Sequence, residues 1–145
     1  HQMKKILFLI FFLSQSSFAD TLKPLNQMTE FSDATGLYMY QRCAAMYLSV
    51  ESILLTGNKD NDAKEMHTKA GELATFALMV AESKGMTNVT PESNTDAIQR
   101  IYDLYEEDIL QSRAATGNMT DGVLKDDMKA CGYLYGELHK RLNKN

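Results

Sequence analysis

The chain has 145 residues, of which 44% are hydrophobic and 23% are charged, and its formal net charge is −4 at pH 7. This length suits one hydrophobic core. An acidic balance without a basic stripe argues against binding to nucleic acid and to anionic membranes. The sequence contains no recognisable catalytic motif, so it predicts no catalytic residues, no metal ligands and no cofactor. We expect the partner to be a protein or a small molecule.

Residues 1–19, in which two residues precede the first methionine, have the pattern of a cleaved secretory signal peptide. Two lysines precede an apolar run over 6–13, and Ser17 and Ala19 supply the small residues of a cleavage site. Loss of the two lysines takes the basic count from 15 to 13 against 19 acidic residues, a formal net charge of about −6. Residues 20–145 are predicted to form a single helical domain, periplasmic or secreted, without membrane insertion after cleavage.

The most apolar stretch of this domain is Leu37–Gly57, in which Arg42 and Glu51 are the only charged residues. Its apolar positions follow a helical period and occupy most of the circumference. A helix of this kind is covered by several others. We therefore predict a central helix over 33–56, with Ser32 as a candidate cap.

The second and third helices are predicted over about 61–84 and 91–116. Small residues such as Ala70 and Ala77 form the inner face of the second helix, which favours close approach by a neighbouring helix. Thr90-Pro91 begins the third helix, because threonine caps free amides and proline is tolerated at the first helical position.

The fourth helix is predicted over about 121–143. Four helices joined by short turns predict an all-α fold, an up-down-up-down four-helix bundle in which the first and last helices are neighbours. The apolar stripe assigned to the fourth helix comprises Leu124, Met128, Cys131, Tyr135, Leu138 and Leu142.

The two cysteines, Cys43 and Cys131, are predicted to form one disulfide that links the first and last helices. An exported chain enters an oxidising compartment, and two cysteines permit only one pairing. Both lie on inward stripes. Gly132 and Gly136, beside the predicted bridge, are interpreted as letting the two backbones approach.

Five residues are predicted to line a possible ligand pocket between the helices. Buried tyrosine hydroxyls need hydrogen-bond partners, and Arg42 and Glu51 lie on opposite sides of their helix, so each is expected to meet a group from another helix. A packed core network remains the alternative to a pocket. The five residues are Arg42, Glu51, Tyr40, Tyr47 and Tyr135.

The function expected from these features is that of a periplasmic or secreted helical protein that binds a partner without catalysis. The alternative is a small periplasmic enzyme, using Arg42, Glu51 or His67, or a haem or metal carrier with an inter-helix pocket. Met39 and His139 resemble a haem ligand pair, but in the predicted register Met39 lies level with the fourth helix near residue 135.

Acidic side chains are concentrated on the third helix. They are interpreted as a solvated face opposite the apolar stripe, with a site for a cation or a basic partner as the alternative. The residues are Asp103, Glu106, Glu107 and Asp108.

Overall fold

A computed structural model describes residues 22–28 and 32–144, so the predicted signal peptide at 1–19 lies outside the described residues. None of the described residues belongs to a strand. The fold is the all-α four-helix bundle that the sequence predicts, with a disulfide between its first and last helices. The helix bounds differ from the predicted ones by at most two residues. The helices are α1 (Asp33–Thr56), α2 (Asp60–Ser83), α3 (Pro91–Thr116) and α4 (Val123–Leu142), preceded by a 3-10 turn, Leu25–Gln27.

Side-chain caps fix the starts of α1 and α3. Ser32 Oγ accepts a hydrogen bond from the amide of Thr35 at 3.2 Å. At the start of α3, Thr90 Oγ1 accepts from the amide of Ser93 at 3.0 Å, and Ser93 Oγ accepts from the amide of Thr90 at 2.8 Å. This reciprocal pair is a capping box, which satisfies two amides that have no partner within the helix.

The start of α4 is determined by a side chain of α3. The two carboxylate oxygens of Asp108 accept hydrogen bonds from the amides of Val123 and Leu124, each at 3.3 Å. A Cβ at Gly122 would lie 2.6 Å from this carboxylate, so a larger residue at this position would have to displace the Asp108 side chain. The interpretation of Asp108 as part of a solvated acidic face is therefore wrong, because its charge caps the positive end of α4.

The central position predicted for α1 agrees with its burial. Among the described residues, α1 and α2 make the most extensive contact between any two helices. Ala70 and Ala77 are 3% and 0% exposed at that contact side of α2, as expected of small residues that admit a close neighbour. Arg42 is buried as well, with only 3% of its surface exposed.

The disulfide joins Cys43 of α1 to Cys131 of α4, with the Cα atoms 5.3 Å apart and both residues 0% exposed. The interpretation of Gly132 and Gly136 is wrong, because both are exposed and a Cβ at either position would have nothing within 4 Å. The close approach of α1 and α4 at the cysteines therefore does not depend on glycine at positions 132 and 136.

The apolar stripe assigned to α4 is partly wrong. Met128 and Leu142 are 42% and 55% exposed, whereas Asp127 is 0% exposed. Tyr135 contacts Tyr47, with ring centroids 6.0 Å apart. The N-terminal part of α4 contacts α3, its middle contacts α1 and its C-terminal part contacts α2. No helix among the described residues is long and apolar enough to cross a membrane.

Candidate functional site

A buried polar cluster lies beside the disulfide and consists of Arg42, Tyr105 and Asp127. Arg42 Nη2 lies 2.6 Å from Asp127 Oδ2, and Arg42 Nε donates to the same oxygen and to the hydroxyl of Tyr105, each at 3.1 Å. The Tyr105 hydroxyl donates to Asp127 Oδ2. All three side chains are at least 97% buried. A buried ion pair of this kind is tolerated because each charge is matched and hydrogen-bonded.

The N-terminal segment, residues 22–28, completes the buried cluster with its backbone. The amide of Leu25 donates to Asp127 Oδ1 at 2.9 Å, and Arg42 Nη2 donates to the carbonyl oxygen of Lys23. The side chain of Leu25 is 5% exposed. The segment is thus attached to the bundle at the point where α1 and α4 are joined.

Burial and the neighbouring side chains shift the pKa values of Arg42 and Tyr105. Burial tends to lower the pKa of Arg42, but Tyr105 and Asp127 outweigh it and the pKa is raised above its ordinary value. Burial raises the pKa of Tyr105 well above its ordinary value, against the opposing charge of Arg42. A guanidinium that stays charged and a phenol that stays protonated are suited to structural support. Among the described residues, no buried side-chain nitrogen or oxygen atom lacks a hydrogen-bond partner.

A second polar cluster, the exposed cluster, lies where the C-terminal part of α4 meets α2. Glu72 Oε2 accepts a hydrogen bond from the Tyr135 hydroxyl at 2.7 Å and lies 2.8 Å from Nε2 of His139. The rings of Tyr135 and His139 have centroids 4.4 Å apart. Lys69 Nζ lies 5.5 and 5.1 Å from the ring centroids of Tyr47 and Tyr135, within the range of cation–π attraction.

The charges of the exposed cluster respond to these contacts. Hydrogen bonds from Tyr135 and His139 lower the pKa of Glu72, and the charge of Lys69 adds to this effect. Burial, with the hydrogen bond to Glu72 and its negative charge, raises the pKa of Tyr135 to about 12. Glu72 and His139 are 41% and 42% exposed, so solvent reaches this cluster.

A groove of about 580 Å³ adjoins the exposed cluster between α2 and α4, and we call it the α2/α4 groove. One end is polar, with Glu72 and His139. The walls are largely apolar, and Met79 and Leu142 are 56% and 55% exposed. The lining residues are Thr68, Gly71, Glu72, Thr75, Phe76, Met79, Leu138, His139 and Leu142.

The five predicted pocket residues are distributed over four places. Arg42 belongs to the buried cluster, whereas Tyr47 and Tyr135 meet in the exposed cluster. The ring of Tyr40 packs edge-on against Phe76, with centroids 4.8 Å apart. Glu51 lies 3.0 Å from Nδ1 of His67. Arg42 and Glu51 thus meet groups from other helices, as expected from their positions on α1.

Sequence reasoning missed Asp127 and Glu72. Asp127 had a detectable signal, because it lies four residues before Cys131 and therefore on the same side of α4. Glu72 had none, because its role depends on α4 passing over α2. Across residues 22–28 and 32–144, no group of three or more His, Cys, Asp or Glu side chains is arranged to hold a metal ion.

No known protein family matches the chain, and neither a characterised protein nor a solved structure has significant similarity to it. The function is therefore argued from the site alone.

Proposed function

We propose that this protein is an exported, non-catalytic binding protein that holds a partner protein through the α2/α4 groove. The observation that carries the proposal is an apolar groove with a polar end. Met79 and Leu142 offer exposed apolar surface, and Glu72 and His139 stand beside it. Apolar walls supply affinity and a few placed polar groups set orientation.

The chemistry of the groove favours a basic partner that presents apolar side chains. Methionine adapts its shape to irregular partners. The acidic balance of the chain, with 19 acidic against 15 basic residues, attracts a positively charged protein and speeds encounter with it. Apolar side chains of such a partner would contact Met79 and Leu142, and a donor group beside them would meet the carboxylate of Glu72.

The proposed compartment is the periplasm or the extracellular space. Two observations support it: the signal-peptide pattern at 1–19 and the disulfide between Cys43 and Cys131. Disulfides persist in oxidising compartments and are rare in the cytosol.

The enzyme alternative draws less support from the geometry. Arg42, one of its candidate residues, lies in the buried cluster nine residues before Glu51, roughly 13 Å along the axis of α1. Glu51 and His67 do form a pair at 3.0 Å. His139, the candidate haem ligand, is hydrogen-bonded to Glu72 at the protein surface.

Site-specific photo-crosslinking in the exporting cell tests the proposed function. A photoreactive amino acid placed at Met79 is expected to give an adduct with a discrete protein, because this side chain lines the α2/α4 groove. Leu142→Glu, on the opposite wall, is expected to abolish the adduct because it places a charge in the apolar contact.

Leu110 provides the matched control, because it is 63% exposed on α3 and does not line the groove. A photoreactive residue there is expected to give no such adduct, and Leu110→Glu is expected to leave the adduct at Met79 intact. An absence of adducts at Met79, or the same adducts from both positions, would refute the proposal.

A further inference from the structure

A second groove, the α1/α3 groove, lies between α1 and α3 and has a volume of about 380 Å³. Its lining mixes one carboxylate, one aromatic ring and two leucines. The lining residues are Leu48, Glu51, Ser52, Leu55, Gln99 and Tyr102.

The carboxylate of Glu51 is the charged group inside this groove. Its side chain is only 21% exposed, whereas the side chain of His67, which lies 3.0 Å from Oε2, is 69% exposed. A carboxylate accepts several hydrogen bonds through its two oxygens. An exposed histidine leaves such a contact at little cost, because exposed ion pairs contribute little to stability. Glu51 is therefore available to a cationic donor that enters the groove.

Tyr102 supplies the aromatic wall and stands in a negative field. Burial raises its pKa, a hydrogen bond with Ser52 opposes this, and the neighbouring carboxylates of Glu106 and Asp103 raise it further. The electron-rich face of a tyrosine ring attracts a cation. The neighbouring carboxylates of Glu106 and Asp103 add to that attraction.

The remaining walls are apolar. Leu48 is half-buried and Leu55 is 50% exposed, so an alkyl chain that covers them removes apolar surface from water. A ligand that combines an alkyl stem with a cationic head fits both parts of the groove. An anionic ligand would be repelled by Glu51, and a neutral one would gain no charge attraction from it.

We propose that the α1/α3 groove binds an alkylammonium group. Glu51 accepts hydrogen bonds from the ammonium, the ring of Tyr102 lies against the cation, and Leu48 and Leu55 contact the alkyl stem. This site is independent of the α2/α4 groove. The same chemistry has two sources, a free amine or the lysine side chain of a protein.

An NMR titration of the full protein tests the site with n-pentylamine at pH 7, with n-pentanol and pentanoate as ligands of the same chain length. The amine is expected to shift amide signals within 48–55 and 99–102, with an affinity about tenfold or more above that of the alcohol. Pentanoate is expected not to bind there. Tighter binding of pentylamine than of N-acetyl-lysine methylamide assigns the site to free amines, and the reverse order assigns it to lysine side chains.

Variants distinguish amine binding in this groove from non-specific attraction of an amine to an acidic protein. Glu51→Gln is expected to weaken amine binding about tenfold or more. Tyr102→Leu is expected to weaken it about threefold, while Tyr102→Phe keeps the ring and the affinity. Glu65→Gln, on α2 outside the groove, removes the same charge and is expected to have little effect.

Circular dichroism of each variant checks that the fold is retained. Equal binding of amine and alcohol, or equal loss of affinity in Glu51→Gln and Glu65→Gln, would overturn the proposal. The crosslinking at Met79 does not depend on this result.

Discussion

The buried cluster and the exposed cluster are built from similar groups and differ in what surrounds them. In the buried cluster, the carboxylate of Asp127 contacts the hydroxyl of Tyr105 and the guanidinium of Arg42. In the exposed cluster, the carboxylate of Glu72 contacts the hydroxyl of Tyr135 and the imidazole of His139. Asp127 is 0% exposed, however, and Glu72 is 41% exposed.

This difference in exposure decides what each cluster does. Within the core, an alternative packing that separated Arg42 from Asp127 would leave a buried charge without a partner, which is strongly destabilising. The buried cluster is therefore expected to contribute strongly to the uniqueness of the fold. At the surface, water and salt screen the same interactions, so the exposed cluster contributes little to stability and remains open to a ligand. Glu72 and His139 of the exposed cluster form the polar end of the α2/α4 groove.

The largest effect is expected from removal of the disulfide, which is adjacent to the buried cluster. Cys43 and Cys131 are 88 residues apart in sequence, and chain entropy gives such a cross-link about 4 to 5 kcal/mol. The double variant Cys43→Ala/Cys131→Ala is expected to lose this much of its free energy of unfolding, measured by urea denaturation. A loss below about 1 kcal/mol would show that the junction of α1 and α4 is held by other contacts. Thiol titration of the unfolded, unreduced protein is expected to find no free thiol.

Asp127→Ala is expected to have the next largest effect, a loss of about 3 to 5 kcal/mol in the free energy of unfolding, because it leaves the buried charge of Arg42 without its partner. It also removes the acceptor for the amide of Leu25. Urea denaturation measures the loss, and amide hydrogen exchange at Leu25 reports whether the N-terminal segment detaches.

Asp126→Ala is the matched control for this variant, because Asp126 is the exposed neighbour of Asp127 in α4. It removes one helix-dipole interaction and is expected to cost about 0.3 to 1 kcal/mol. Equal losses in the two variants would contradict the role assigned to the buried cluster.

The smallest effect is expected in the exposed cluster. Glu72→Gln is expected to change the free energy of unfolding by less than about 1 kcal/mol at pH 7. The pKa of Glu72 is lowered in the fold, so its small contribution is present above the ordinary carboxylate pKa and is lost as the pH falls through the lowered value. The pKa of Tyr135 is raised to about 12 by burial and by the hydrogen bond and negative charge of Glu72. The variant removes that negative charge, so this pKa is expected to fall part of the way towards 10.

Ultraviolet absorbance between pH 9 and 13 measures this tyrosine, with Tyr135→Phe identifying its signal. A raised pKa keeps the phenol protonated in the fold, so its contribution to stability is expected to be complete below pH 10 and lost as the pH rises from 10 to 12. An unchanged pKa of Tyr135 in Glu72→Gln would show that the contact with Glu72 is not formed in solution.

Local patterns in the sequence were enough to predict the helices and the disulfide. The cap at Thr90-Pro91, the small inner face at Ala70 and Ala77 and the apolar central stretch each act within a few turns of chain, and the structure has the corresponding elements. The pairing of Cys43 with Cys131 followed from their number and the expected compartment. These features depend on periodicity and composition, which one sequence contains in full.

Only the tertiary structure decided how polar groups from distant parts of the chain are paired. Arg42 was recognisable as a charge that needed a partner, but its partners, Asp127 and the backbone of residues 22–28, are brought to it by the crossing of α4 and the return of the N-terminal segment. Glu72 meets Tyr135 and His139 for the same reason. Which helix faces meet is determined by the packing of all four helices together, a long-range property that local periodicity does not encode.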